Sequence, residues 1–437
     1  MSSPLQTAPL LRAALRDARA RTLALVADLD DAQWLGPRLA IVNPILWEVG
    51  HLGWFQEYWT QRQALSAAPL LPRGDALYDS ARVAHDTRWD LPLLPRAEVL
   101  RYLETVLERS LAAEPGYFHE LSLAHEDMHG EALLYTRQTL GYAAPALREP
   151  ARTQSAPVPA PTKTRAKSAA PAASDAGPLP GDVEVPGCIF QLGARPKAPF
   201  VFDNEKWAHP LAVASFRIAR APVTNDELLE FVEAGGYGDE RFWSREGWRW
   251  RAAAGAGHPV YWRRRQGGRW FERRFDAEVP LAPHRPAIHV CWYEAAAFCR
   301  WSGRRLPTEA EWELAASTPE KRAFPWGEAP PDPQTANLDA AAGGTVDVAA
   351  HPAGDSAYGC RQLIGNVWEW TVSDFQPYPG FVVDPYKEYS APWFSSPHKV
   401  LRGGCWATRA RLLRNTWRNF YPPDRRDVLA GFRTCAV

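Results

Sequence analysis

The sequence predicts two folded parts of different class: an N-terminal bundle of four helices over residues 1–148 and a loop-rich α+β domain over residues 183–437. Three observations lead to this prediction. Apolar residues recur at helical spacing through the first part, proline, alanine and serine dominate residues 149–182, and short β-prone runs alternate with glycine, proline and tryptophan after that. A chain of 437 residues has room for two or three domains, each with its own core.

Four segments of the first part carry the apolar spacing of amphipathic helices. They are residues 10–29, 44–65, 96–113 and 117–141. Four helices of this length favour an up-down bundle. The connection between the second and third helices, residues 69–95, is long and rich in proline, arginine and aspartate. Long connections inside a compact domain are often functional.

Residues 149–182 almost lack apolar residues larger than valine, so they cannot bury enough surface to fold. We expect a disordered, semi-extended linker there. In the second part, two segments predict helices: TNDELLEFVEAGG, with Thr224 as its N-cap, and WYEAAAFCRWSG. The remainder is expected to form short strands and loops.

Charge and composition argue against nucleic-acid and membrane partners. Lysine plus arginine equals aspartate plus glutamate, at 50 each, and the basic run YWRRRQGGRWFERRF is typical of a solvated hairpin. No stretch approaches about 18 apolar residues, and the N-terminal segment lacks the apolar run of a signal peptide. The 6 cysteines show no C-x-x-C pair and are expected to be reduced thiols. These features predict a cytoplasmic enzyme.

A candidate metal site begins with the segment LAHEDMHGEALL, in which His125 and His129 lie one helical turn apart on the same face. The H-E-x-x-H pattern is best known from zinc peptidases, where the glutamate acts as base. Residues 135–180 contain no histidine that would serve as a downstream third ligand. The third candidate is His51, in the apolar segment LWEVGHLGWFQEYW. Imidazole ligands alone do not select among zinc, iron, copper and nickel.

The second part carries an ordered series of motifs: GRRLPTEAEWELAAS, FPWG, YGCRQLIGNVWEWTVSDF, VLRGGCW and GFR. This series resembles the formylglycine-generating-enzyme, or sulfatase-modifying-factor, family, and the resemblance implies a C-type-lectin-like fold. The formylglycine enzymes use a late cysteine pair as a copper site. Only Cys405 and Cys435 are candidates by position, so that activity is not predicted.

A DinB-like metal-binding bundle joined to such a domain resembles the ergothioneine-type sulfoxide synthases and selenoneine synthase. FDNEKWAHP, PVTNDELLEFVEAGGY and FWSREGWRW also look like this branch. The resemblance implies iron(II) held by His51, His125 and His129, O2 as oxidant, and a carbon–chalcogen bond formed at the imidazole C2 of hercynine. Glu126 would then be an ordinary helix residue.

The family usually has a tyrosine acid beside the iron. Tyr378, in FQPYPGF, is the candidate by motif, and Tyr386, Tyr389 and Tyr421 are its rivals. Arg88, in the long connection, is the candidate to reach the site from the bundle.

The segment TWRNFYPPDRRDVLAGFR departs from the ergothioneine-type pattern, which typically reads R-N-W-D here. The resemblance assigns substrate binding to Asn419, Phe420 and Tyr421. Asn419 can hydrogen-bond hercynine, and Phe420 can offer an aromatic face to its quaternary ammonium. Tyr421 cannot replace a carboxylate as partner for a donor's ammonium group. This difference favours a selenosugar as donor; the alternative is cysteine or γ-glutamylcysteine, which would form a carbon–sulfur bond.

Two other functions remain open at this stage. A non-catalytic binding module would take up no iron after anaerobic reconstitution. A zinc peptidase would require Glu126 as its base. The oxidative interpretation requires His51, His125 and His129 to converge on one point that faces the C-terminal domain.

Overall fold

The computed structural model describes residues 7–147, 176–198 and 200–437, and it contains both predicted parts. The first part consists of helices α1 (Ala8–Val26), α2 (Asp31–Leu35), α3 (Ile45–Glu57), α4 (Gly74–Tyr78), α5 (Arg96–Ala112) and α6 (Tyr117–Leu140). The four long helices match the four predicted segments. A π-helical segment, Tyr58–Gln63, follows α3 directly. The predicted linker falls largely on residues 148–175, outside the described residues, so its limits stay a prediction.

Helices α1 and α5 bury one face, as the apolar spacing predicts, whereas α3 is buried on nearly every side. Helix α3 packs on α5, and α1 packs on α6. Buried polar contacts cross this core, and those of Glu126 are an example. Arg19 of α1 is 3% exposed and donates to Glu126 of α6 at 2.8 Å. Thr22, one turn further along α1, donates to the same carboxylate at 2.9 Å. A buried charge is tolerated when it is paired and hydrogen-bonded in this way.

The second part is α+β. Its helices are α7 (Asn225–Glu233), α8 (Arg245–Ala253), α9 (Trp292–Trp301) and α10 (Glu309–Ser317). Its strands are β1 (Asp182–Val185), β2 (Cys188–Leu192), β3 (His209–Val213), β4 (Phe216–Ala219), β5 (Trp262–Arg264), β6 (Trp270–Arg274), β7 (Ala277–Pro280), β8 (Arg304–Arg305), β9 (Trp368–Asp374), β10 (Lys399–Arg402), β11 (Asn419–Tyr421), β12 (Ala430–Phe432) and β13 (Cys435–Ala436).

The two predicted helices of this part are confirmed as α7 and α9, and Thr224 caps α7 by accepting from the backbone N–H of Glu227. The sequence prediction missed α8 and α10. Every residue of α10 is buried, so the helix shows no alternation between an apolar and a polar face. The basic run forms the predicted hairpin, with β5 paired antiparallel to β6.

The sheet that matters for the site has the strand order β11-β10-β9-β12. β11 is an edge strand, and Phe420 on it pairs with Val400 on β10. The central strand β9 is anchored by Trp368 and Trp370, which are almost completely buried. The tryptophan-rich GNVWEWT motif therefore supplies core to a sheet whose edge strand carries Asn419, Phe420 and Tyr421.

Helix α6 joins the two parts. Glu131 accepts from the Trp368 indole at 2.7 Å and from the Thr408 hydroxyl at 2.5 Å. Asp127 forms a bidentate pair with Arg411 at 2.6 and 2.7 Å. These contacts hold the helix that carries two of the candidate ligands against the C-terminal domain. Within the described ranges, no helix combines the length and apolar character needed to cross a bilayer.

Candidate metal centre

The three predicted ligands converge. His51 comes from α3, His125 and His129 come from α6, and their candidate ligand nitrogens all lie within 4.8 Å of one another. The Nε2 atoms of His51 and His125 are 3.2 Å apart. Two imidazole nitrogens that each bind one ion at about 2.1 Å are separated by about 3 Å when the angle at the ion is near a right angle. The histidine cluster therefore fits a single metal ion.

Two of the rings are oriented from behind. His51 Nδ1 lies 2.8 Å from the backbone oxygen of Tyr78, and His129 Nδ1 lies 2.9 Å from Glu48 Oε1. A proton on each Nδ1 leaves the Nε2 lone pair free to bind a metal, and such outer partners fix both tautomer and ring direction. Glu48 is held in turn by the Asn43 amide, which donates to its other oxygen at 3.3 Å.

The surroundings of His51 and His125 favour their neutral forms. Burial lowers the pKa of His51 and of His125 well below the ordinary value, and the positive charge that His129 carries when protonated adds to the effect. His125 is also stacked on Phe55, with ring centroids 3.5 Å apart and an interplanar angle of 4°. Neutral imidazole is the form that binds a metal.

Arg88, a predicted substrate-binding residue, lies behind His51. Its guanidinium is 3.7 Å from the Trp47 ring centroid, and Trp47 is stacked on His51 with centroids 5.0 Å apart. Arg88 donates to Asn43 Oδ1 at 2.6 Å, and burial lowers its pKa to about 10. Through Asn43 it supports the Glu48 carboxylate that orients His129. The structure thus places Arg88 against Trp47 and Asn43, the residues that support His51 and Glu48.

Tyr378, the predicted acid, lies in a second buried polar cluster. Its hydroxyl donates to Glu309 Oε1 at 3.1 Å. The Arg418 guanidinium lies 4.1 Å from its ring centroid and donates to the same glutamate at 2.6 Å. These polar partners belong to the C-terminal domain, and the structure does not bring Tyr378 into the histidine cluster.

Tyr386, a rival candidate, is the tyrosine that faces the histidines. Its ring centroid is 6.2 Å from that of His125 and 4.9 Å from that of Phe55. Burial raises the pKa of Tyr386 above its ordinary value, so the phenol stays protonated at neutral pH. Tyr389, three residues on, approaches Met128 on α6, with Oη 3.7 Å from Sδ.

The three predicted residues of β11 point to opposite sides because side chains alternate along a strand. Phe420 is stacked on Phe375 with ring centroids 3.9 Å apart, and its edge faces Tyr389. Tyr421 lies on the side of Asn419. The Arg425 guanidinium is 5.3 Å from the Tyr421 ring centroid. Burial raises the pKa of Tyr421, and the charge of Glu131 on α6 adds to the effect. This side of the strand therefore lies near α6.

Two acids lie next to the ligands in the helices, and the sequence analysis considered only one of them. Glu126, the base of the peptidase hypothesis, accepts from Arg19 and Thr22 of α1, so its carboxylate is already committed to partners within the bundle. Glu48 was not predicted as a site residue. Its position three residues before His51 places both on one helical face, and that spacing is the signal that marks it.

Comparisons with known proteins cover both parts of the chain. Residues 167–436 match the sulfatase-modifying factor enzyme 1-like domain, and residues 14–131 match the DinB superfamily. The hercynine oxygenase of Mycolicibacterium smegmatis is 38% identical over 95% of this chain and 96% of its own length. That of Mycobacterium tuberculosis is 37% identical over 99% of each.

Among solved structures, PvdO from Pseudomonas aeruginosa covers 60% of this chain and 95% of its own, with 23% identity and a TM-score of 0.43. The domain matches confirm the predicted fold class, a DinB-like bundle joined to a sulfatase-modifying-factor domain. The full-length relatives confirm the predicted family resemblance and the prediction of an oxidoreductase enzyme.

Proposed function

This chain belongs to the DinB/sulfatase-modifying-factor family that includes the hercynine oxygenases, and from that premise we propose that it oxidises hercynine with O2 at an iron(II) centre. His51, His125 and His129 would hold the ion. The observation that carries the proposal is the approach of their nitrogens to within 4.8 Å, with His51 and His129 oriented from behind by Tyr78 and Glu48.

When bound, iron(II) supplies the one-electron chemistry that O2 requires, and three imidazole ligands leave coordination positions open. The protein orients His51 and His129, keeps His51 and His125 neutral, and packs aromatic side chains around them. Because imidazole also suits zinc, copper and nickel, metal identity is tested by reconstitution with each ion.

Tyr386 is our candidate for the acid. It holds a proton at Oη under the raised pKa, and its ring lies beside His125. A group that must deliver a proton or hydrogen atom needs to reach the reacting atoms, and geometry takes precedence over pKa in choosing it. Tyr378 also has a raised pKa, but its hydroxyl is already committed to Glu309.

Hercynine would bind between β11 and the segment that carries Tyr386 and Tyr389. Asn419 offers an amide to its carboxylate or imidazole. Phe420 and Tyr389, whose ring centroids are 6.0 Å apart, offer aromatic faces for its trimethylammonium group. Together these residues would orient the imidazole C2 towards the histidine cluster.

The donor would be a selenosugar, and the product bond would join selenium to imidazole C2. Position 421 carries a phenol in place of a carboxylate, and the adjacent Arg425 is paired with Asp427 at 2.6 Å. A zwitterionic thiol would therefore lack an ion-pair partner at this position. A neutral sugar needs none.

The decisive experiment is anaerobic reconstitution with iron(II), followed by O2 consumption and product mass with hercynine and each donor. We expect O2 uptake that depends on hercynine, and a larger kcat/KM with the selenosugar than with cysteine or γ-glutamylcysteine. A preference for a thiol would overturn the donor assignment in favour of carbon–sulfur bond formation. Absence of hercynine-dependent O2 uptake would overturn the proposed function.

The setting we propose is the cytoplasm. All 6 cysteines are free thiols, as expected in a reducing compartment.

A further inference from the structure

The segment that carries Tyr386 is held at both ends by one short stretch of chain. We call residues 384–390 the tyrosine segment and residues 203–206 the anchor segment. At one end, Lys206 Nζ donates to both oxygens of Asp384, at 2.8 and 2.7 Å. At the other end, the Ser390 hydroxyl donates to Asp203 at 2.5 Å and accepts from the Asn204 amide at 3.0 Å. Tyr386 and Tyr389 lie between these two attachments.

Asp384 has a further contact, and it comes from the bundle. The carboxylate of Asp384 lies close enough to Tyr117, the first residue of α6, for its charge to act on the phenol. Burial, followed by the charge of Asp384, raises the pKa of Tyr117. The same helix presents His125 eight residues later, about 12 Å along its axis. One carboxylate therefore connects the tyrosine segment, the anchor segment and the start of the helix that carries two ligands.

We propose that Asp384 is a positioning residue, which with Lys206 and Tyr117 sets the Tyr386 hydroxyl relative to the histidine cluster. The proposal rests on the proposed function, because it assigns Tyr386 the role of acid. Asp384 itself touches none of the proposed ligands or substrates. Its effect is geometric: a shift of about 1 Å in a reacting group can change a rate by about two orders of magnitude.

An ordinary surface ion pair would not have this effect, because water and salt screen it. The Lys206 and Asp384 side chains are only 18% and 21% exposed. The chain offers a matched control in Arg265 and Glu278, a pair at 2.6 Å on the β5–β7 sheet whose side chains are 62% and 29% exposed. That pair joins neither ligand helix nor tyrosine segment.

The test measures product formed per O2 consumed in the reconstituted full-length enzyme. Asp384→Asn and Tyr117→Phe should lower this ratio by about tenfold, towards the value of Tyr386→Phe, with the KM for hercynine changed by less than about twofold. Lys206→Met should behave like Asp384→Asn, and Lys206→Arg should restore the ratio. Glu278→Gln should leave the ratio unchanged.

A second readout does not need the reaction. In the metal-free protein, amide hydrogen exchange across residues 384–390 should speed up in Asp384→Asn and stay unchanged in Glu278→Gln. If Tyr386→Phe lowers the ratio and Asp384→Asn does not, the positioning role is overturned while the proposed function stands. If wild type shows no hercynine-dependent O2 uptake, the proposed function fails, and unchanged exchange in Asp384→Asn would overturn the anchoring role separately.

Discussion

The molecule contains two buried polar clusters, and they differ in how their groups are partnered. In the ionic cluster under Tyr378, Arg402 donates to Glu309 at 2.9 Å and also to Glu313, while Arg418 donates to Glu309 at 2.6 Å. Each of these charges has an opposite charge beside it. In the histidine cluster, the outer nitrogens of His51 and His129 are bonded and the Nε2 atoms face inwards.

This difference separates scaffold from site. Both clusters are polar and largely buried, and both have a tyrosine with a raised pKa beside them. What distinguishes the histidine cluster is that its ligand nitrogens converge on one another, with the Nε2 atoms of His51 and His125 only 3.2 Å apart, and none of the three rings brings a fixed charge. Such an arrangement is stable when a cation supplies the missing charge. The following predictions test the comparison, from the largest expected effect to the smallest.

Removal of a ligand should abolish the site and leave the scaffold intact. His125→Ala should reduce the iron content from one per chain to less than about a tenth, because the two remaining imidazoles bind the ion too weakly. It should also lower kcat at least about a thousandfold. Metal analysis and O2 uptake measure both effects. The control is His119→Asn, on the same helix, where the ring bonds to the Ser110 carbonyl at 3.1 Å. Equal iron loss in the control would contradict the assignment.

Breaking the ionic cluster should have the opposite outcome. Arg402→Met leaves Glu309 and Glu313 with fewer partners in a buried position, and should reduce the free energy of unfolding by about 3–5 kcal/mol. Urea titration measures the loss. The folded fraction should still bind one iron per chain. Iron loss from folded Arg402→Met would show that the two clusters are not separable.

The two tyrosines should respond differently to the same substitution. Tyr386→Phe should lower product formed per O2 by about a hundredfold, since it removes the phenolic proton from the ring that lies 6.2 Å from that of His125. Tyr378→Phe should keep this ratio and lose about 1 kcal/mol of stability through its bond to Glu309. Product analysis and urea titration are run on both variants. The reverse result would return the role of acid to Tyr378.

Acid should weaken the two clusters in different pH ranges. The pKa of His51 and of His125 is lower in the folded state, so the unfolded chain binds more protons below about pH 6.5. The free energy of unfolding of the metal-free protein should therefore decrease as the pH is lowered below about 6.5, by up to about 1.4 kcal/mol per pH unit for each ring.

The carboxylates of the ionic cluster should stay ionised to a lower pH than the one at which the histidines begin to matter. Burial opposes the ionisation of Glu313, but the charges of Lys321 and Arg402 outweigh it and lower its pKa. The ionised Glu313 carboxylate therefore contributes its full stabilisation of the folded state above about pH 4.5, and this stabilisation is lost only at lower pH. Urea titrations of metal-free wild type and His51→Asn between pH 7 and 5 should show a shallower slope for the variant. Equal slopes would contradict the neutral-histidine assignment.

Much of the fold followed from local patterns. The four long helices, the caps of α7 and the hairpin β5–β6 depend on residues close together in the chain, and the structure has them where they were predicted. Helix α10 escaped prediction because it is buried on every side, so the periodicity that reveals a surface helix is missing. Most of the predicted linker, residues 149–175, lies outside the described ranges.

The histidine trio could be found from sequence because a helix turns the spacing of 125 and 129 into spatial proximity. Tyr386, Glu48 and the placement of Arg88 were decided by tertiary structure. Tyr378 and Tyr386 sit in similar proline-containing segments, and their directions depend on contacts such as Lys206 with Asp384, which are 178 residues apart in the chain. Local sequence specifies helical faces; the direction of a loop side chain is set by distant partners, and only the folded chain brings those together.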